Sequence, residues 1–205
     1  MSATKCSYII FHNGPTKPKE LDLQLFDKKI PYDSKPVFLG VTFDERLTFK
    51  DYYDKIKTKC QDRLKIVRIL SSNYWKLSSK LLLNIYSSLV RSIIDCTAFS
   101  TSVTPASRLE NLQVIQNSAF RSIFHLQYDT SSTDLYNYAK FHGFDKISER
   151  LHSLNERYFE NSINFCNPLI IKLACEYRTG FQARNVEYKT VLCPHAELFK
   201  ILIIH

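Results

Sequence analysis

Near residue 44 the chain changes its hydrophobic period, and that change decides the class of fold open to it. Phe38-Leu39-Gly40-Val41-Thr42-Phe43-Asp44 reads as the last of a set of strands, stopping at an Asp. From residue 50 onward apolar residues recur every three or four positions, the spacing of helices with one buried face. Strands gathered at one end and helices at the other describe an α+β chain, mostly α, with a small N-terminal antiparallel β-sheet followed by a helical bundle. Three segments follow: a β region over 1–48, a helical bundle over 49–126, and a partly irregular helical extension over 127–205.

Within the β region, Cys6 to Phe11 is a β-rich run broken by Asn13-Gly14-Pro15. Leu21, Leu23 and Leu25 alternate with Asp22 and Gln24, the period of a half-buried strand. Asp27-Lys28-Lys29 is a candidate turn, residues 31–36 are loop, and Val37 to Phe43 is the final strand, in which Gly40 permits a close approach of backbone. A sheet of three or four such short strands does not stand alone. The first helix is expected over 50–71, with Tyr53, Ile56, Cys60, Leu64, Val67 and Leu70 inward. A second starts at Ser78 or Ser79, either of which can cap it. A third opens at Thr104-Pro105, a capping Thr with Pro in the first turn. Weaker patterns mark helices from Ser131, over 147–165, and from Pro168 to about residue 177.

Charge narrows the partners. Lys and Arg number 28 against 20 Asp and Glu, a surplus of 8. That surplus favours a polyanion, nucleic acid ahead of membrane. No stretch approaches the roughly 18 apolar residues of a membrane span. The six cysteines lie far apart and no secretory leader opens the chain, so reduced intracellular thiols are expected, in nucleus or cytoplasm.

Few residues are placed for chemistry. Residues 1–205 contain no Asp-Asp pair, and Glu20, Asp22, Asp27, Asp33, Asp44 and Glu45 are scattered, mostly at turns. Cys166, Cys175, Cys193 and His195 lack the close pairs that structural zinc prefers. Four isolated glycines build no phosphate loop. The basic helix remains: residues 50–68 hold seven basic and three acidic side chains. With the apolar stripe inward, Lys50, Lys57, Lys65 and Arg68 fall on outer faces, where they contact phosphates without reading sequence or simply face solvent. Trp75, between Tyr74 and Lys76, either stacks on a base or anchors the loop in the core.

Taken together, these segments resemble the C-terminal part of the reverse transcriptases of non-LTR retrotransposons, the jockey-like group especially. Phe38-Leu39-Gly40-Val41-Thr42-Phe43-Asp44 is similar to that family's Tyr-Leu-Gly-Val-x-Leu-Asp strand at the palm edge. The basic helix with Arg63-Leu64 resembles the start of the thumb. Trp75-Lys76-Leu77, Ile85-Tyr86 and Leu89-Val90-Arg91-Ser92-Ile93-Ile94 look like its second helix, although Ser92 stands where Pro is frequent and Phe99 where Trp is common. The most specific match is Leu112-Gln113-Val114-Ile115-Gln116-Asn117-Ser118-Ala119-Phe120-Arg121, similar to the family's Leu-Gln-x-Ile-Gln-Asn-x-Ala-x-Arg helix. Thr4-Lys5 and Phe11 fit the tail of a palm motif, and Arg150-Leu151 through Arg157 with Asn167-Pro168-Leu169-Ile170 fit the region after the thumb.

The resemblance implies a palm edge and thumb that grip an RNA/DNA template–primer duplex through its backbone. Lys55, Lys57, Lys59, Arg63, Lys65 and Arg68 are the expected phosphate contacts, with Lys5 as a further candidate. It also implies that the palm, fingers and metal-binding aspartates would precede Met1, so the Mg²⁺ of the parent enzymes has no cofactor site here and this chain alone does not polymerise. The other expectation is a degenerate remnant or a protein-interaction module with no nucleic-acid role.

Overall fold

The computed structural model describes residues 6–12, 14–16, 19 and 21–176, without the side chains of residues 102 and 173–176. It is mostly helical, with strands only near the N-terminus of the described chain. The elements are β1 Gln24–Leu25, β2 Lys28–Lys29, β3 Val37–Phe38, β4 Val41–Thr42, α1 Lys50–Leu70, α2 Ser79–Tyr86, α3 Ser92–Asp95, α4 Ala106–Ile123, α5 Ser132–Phe141, α6 Ile147–Asn164 and α7 Pro168–Glu176. The chain divides into two compact units, Met1–Lys55 and Ile56–His205, and the division falls inside α1.

In the first unit the four short strands form two separate antiparallel hairpins rather than one sheet. Leu25 pairs with Lys28 in one and Phe38 with Val41 in the other. Val37 to Phe43 is therefore not a single strand. It doubles back at Leu39-Gly40, whose φ angles are 50° and 83°, the left-handed pair that a two-residue type I′ turn requires. Gly40 serves that turn and not a close approach, since a Cβ built on it would meet nothing within 4 Å. The other hairpin turns at Phe26-Asp27, with φ of 51° and 57°, one residue earlier than expected, and Lys28 and Lys29 become its return strand. Cys6 to Phe11 gives a single parallel bridge, Tyr8 to Tyr32, instead of a strand.

Asp44 closes this unit's approach to α1. One carboxylate oxygen accepts from the Thr48 amide and hydroxyl, at 2.9 and 3.0 Å. The other accepts from the Phe49 amide at 2.7 Å. These bonds hold Leu47 and Phe49 at positive φ, a conformation that strains residues with a Cβ. The Asp at the end of the opening motif thus acts as the clasp of the turn into the helix.

The second unit has the larger core. Ile56, Cys60, Leu64 and Val67 of α1 are buried, as their spacing predicts. Ser78 caps α2 by accepting from the Leu81 amide, and Ser131 caps α5 by accepting from the Asp134 amide. Thr104 does not cap α4: its hydroxyl donates to the Ser100 carbonyl, closing a 3-10 turn over Ala98–Val103, and Pro105 takes the cap position without a side-chain bond.

Between α2 and α3 the helix continues through a π turn, Ser87–Arg91. The sequence explains it. Leu82, Tyr86, Val90 and Ile94 are all buried and recur every four residues. In an unbroken α-helix each such step overshoots a turn by about 40° and the stripe would wind away from the core. A wider turn absorbs the drift and keeps all four on one side.

Polar groups join the helices within this core. The Tyr86 hydroxyl donates to Gln116 Oε1 at 3.0 Å, and Gln116 Nε2 donates to the Asp145 carbonyl at 3.0 Å. Gln113 Oε1 accepts from the Ile147 amide at 2.8 Å and so binds the start of α6. Asn155 Nδ2 donates to the Ala98 carbonyl at 2.6 Å. Phe120 sits against Tyr86 and Phe144, with ring centroids 5.5 and 5.4 Å away.

Candidate nucleic-acid interface

The basic side chains of α1 radiate from the buried stripe in three directions. On a 3.6-residue helix, Lys57 and Arg68 lie on one flank of that stripe, Lys59 and Arg63 on the other, and Lys65 on the outer side. Arg68 in the last turn also complements the negative end of the helix dipole, as Asp51 does the positive end.

Their partners differ. Lys57 Nζ donates to Asn111 Oδ1 at 3.4 Å, and Arg68 Nη2 donates to Ser118 Oγ at 2.6 Å. Both bonds tie α1 to α4, and neither involves an acid, so among the described residues neither cation has an acidic partner. Lys65 pairs with Asp62 at 2.7 Å, in the open, where such a pair holds weakly. Lys59 and Arg63 are exposed and have no hydrogen-bond or ion-pair partner among the described residues. They stand one turn apart, four residues in sequence. Lys55 belongs to the first unit, where its Nζ donates to the Thr42 hydroxyl at 2.9 Å. Lys5 lies outside the described residues.

The chain continues past α1 without negative charge. From Arg63 to Ile94 there is no Asp or Glu, while Arg63, Lys65, Arg68, Lys76, Lys80 and Arg91 are all basic. Arg91 is the exception in placement. It is buried in the π turn with its guanidinium 4.6 Å from the centre of the Phe144 ring, and burial lowers its pKa. It belongs to the core, not to the surface. The loop after α1 carries Tyr74 and Trp75, which are 85% and 50% exposed. Trp75 is therefore not the buried anchor that was the alternative to base stacking.

Among the described residues no three His, Cys, Asp or Glu side chains converge on one point. Cys193 and His195 lie outside the described residues, as does the side chain of Cys175. Cys60 is buried and its thiol is pushed up to about 12 by that burial, which removes it as a nucleophile at neutral pH. No helix among the described residues is long and apolar enough to cross a membrane.

Compared with known protein families, curated proteins and solved structures, the chain matches none.

How the charges of the basic helix are held was not legible in the sequence. Asn111 and Ser118, which position Lys57 and Arg68, lie some fifty residues away in sequence and carry no local signal. The acid-free run from Arg63 to Ile94 was open to inspection in the sequence, and it marks the loop aromatics as part of one positive region.

Proposed function

We propose that this chain is a thumb-type fragment of an RNA-directed DNA polymerase of the non-LTR retrotransposon kind, binding the backbone of a template–primer duplex and lacking the catalytic aspartates. The observation that carries the reading is the pair Lys59 and Arg63, exposed and unpaired among the described residues on one flank of a helix whose apolar stripe is buried. Lys57 and Arg68 add charge held in fixed positions by neutral partners on α4. Contacts of this kind go to phosphates, so they grip a duplex without selecting its sequence. The similarity of Leu112 to Arg121 to a thumb helix supports the same reading, with Gln113 and Gln116 acting as the internal ties of that helix.

Binding is tested with a labelled RNA/DNA duplex titrated at several salt concentrations. If about four to six phosphates are engaged, log K falls with log salt at a slope of roughly −3.5 to −5.5. A flat response, or no loss in Lys59→Gln plus Arg63→Gln, overturns the reading. Primer extension with Mg²⁺ or Mn²⁺ should give no template-dependent product.

A second reading, a protein-interaction module or remnant with no nucleic-acid role, draws on the hairpins. Phe26, Val37, Phe38 and Leu39 are all more than half exposed. It predicts that charge-removing variants of α1 leave every binding property unchanged.

A further inference from the structure

We infer that Tyr74 and Trp75 form a stacking platform for unpaired bases, so that the basic region takes single-stranded nucleic acid as well as duplex. This rests on the polyanion-binding reading above and adds a second mode of contact to it.

The loop is built to hold aromatic rings in the open. Ser71 Oγ donates to the Val67 carbonyl at 2.7 Å, the Ser72 amide to the Ile69 carbonyl at 3.2 Å, and the Trp75 amide to the Ser72 carbonyl at 3.1 Å. The backbone is thereby fixed while both rings face outward. Lys76 follows at a φ of 47°, an uncommon conformation for a residue with a side chain. The two rings meet edge to face, with centroids 5.5 Å apart and an interplanar angle of 87°. In that arrangement the contact between them covers no more than one ring face, and Tyr74 and Trp75 remain 85% and 50% exposed. Two adjacent, mutually braced rings with open faces are a surface for flat partners.

Charge selects among flat or apolar partners. Arg68 precedes the rings and Lys76 and Lys80 follow them, with no acid anywhere from Arg63 to Ile94. A second copy docking here about a two-fold axis would set each of these cations near its own counterpart, which is unfavourable. A strand of nucleic acid satisfies both features at once: phosphates for the cations and bases for the rings. Duplex offers only the first, because its bases are already stacked on each other.

Trp75 is the chain's single tryptophan, so its emission reports on this site alone. The full chain is titrated with an oligothymidylate and, separately, with a blunt duplex, following both tryptophan emission and the anisotropy of labelled nucleic acid. The single strand should quench the emission and the duplex should bind with little quenching. Trp75→Ala should weaken single-strand binding about 5- to 100-fold, as loss of one stacked base implies, and leave duplex affinity within about twofold. Trp75→Phe, which keeps a ring, should restore most of the single-strand affinity. Duplex binding with no quenching by the single strand overturns this inference and leaves the backbone-binding reading standing. Loss of binding to both in the unmodified chain overturns the two together. A blue shift on raising the protein concentration, or on adding phosphatidylserine vesicles, overturns the inference by giving the rings to a second copy or a lipid surface.

Discussion

The two hairpins of residues 24–42 and the helices that follow Ile56 hold their shape by different means. In the hairpins the backbone does the work. Two turns are set by left-handed residues, each strand is only two residues long, and Phe26, Phe38 and Leu39 remain in solvent. In the helical unit, side chains do the work. Tyr86, Phe120, Leu112, Ile123, Leu135 and Leu151 are almost wholly buried, and Gln116 is buried among them with both ends of its amide bonded. The lesson is that exposed apolar groups mean different things in the two places. In a turn-built segment they are material without a core of its own. In a core-built segment the exposed rings of Tyr74 and Trp75 are exceptions, and exceptions carry information.

The sharpest test of the contrast is a pair of phenylalanines. Phe120→Ala should cost the helical unit about 3–5 kcal/mol in urea unfolding followed by circular dichroism, because it empties a fully enclosed site. Phe38→Ala, at 65% exposure, should change stability by no more than about 0.5 kcal/mol. Equal effects would erase the distinction. Next in size is Gln116→Ala, which leaves the Tyr86 hydroxyl and the Asp145 carbonyl without partners. A loss of about 1–3 kcal/mol is expected by the same measurement.

Gly40→Val acts on the other side of the comparison. A β-branched residue at a φ of 83° is strained by about 1–2 kcal/mol. Amide exchange should quicken at Val37–Thr42 while the protection of α4 and α6 stays as it was. The smallest effect concerns Lys35 and Asp51, which pair at 2.6 Å in the first unit. The hydrogen bond to Lys35 lowers the Asp51 carboxyl, and the bond to Asp51 raises the Lys35 ammonium. The Asp51 contribution is therefore complete above the ordinary carboxylate range and fades as pH falls through the lowered value. The Lys35 contribution is complete below the ordinary lysine range and fades as pH rises through the raised value. Both side chains are solvated, so the unmodified chain should exceed Lys35→Met in stability only slightly at intermediate pH, and the two should converge in acid and in alkali.

Much of the helical unit could be read from the residues because its signals are local. Ser78 and Ser131 cap where their positions say they should, and the stripe from Ile56 to Val67 is buried as spaced. The hairpins could not be read so well. Val37 to Phe43 has the composition of one strand, and nothing in its apolar content announces that Leu39 joins Gly40 in the left-handed region. Gln116 was hidden for the opposite reason, since a polar residue on an apolar face has no periodic signature and is explained only by Tyr86 and Asp145. At the candidate interface the helical wheel turned Lys50, Lys57, Lys65 and Arg68 outward, and the exposure of Lys59 and Arg63 beside the stripe was added by the structure. The restraint of Lys57 and Arg68 by α4 did not follow from the wheel, because it depends on how distant helices pack.

The π turn at Ser87–Arg91 sets a rule for how sequences of this kind can vary in length. A helix with one surplus residue can lose it and still remain a helix. Deletion of one residue between Ser87 and Arg91 would close the wide turn into an ordinary one and leave Ser92 to Asp95 facing as they do now relative to α2. Ile94 would stay in the core, and Asp95 would still face Arg150, which meets it at 3.1 Å. Chains that share this rod should therefore be free to differ by one residue between Leu82 and Ile94, according to whether the wide turn is present, with both ends of that interval still buried.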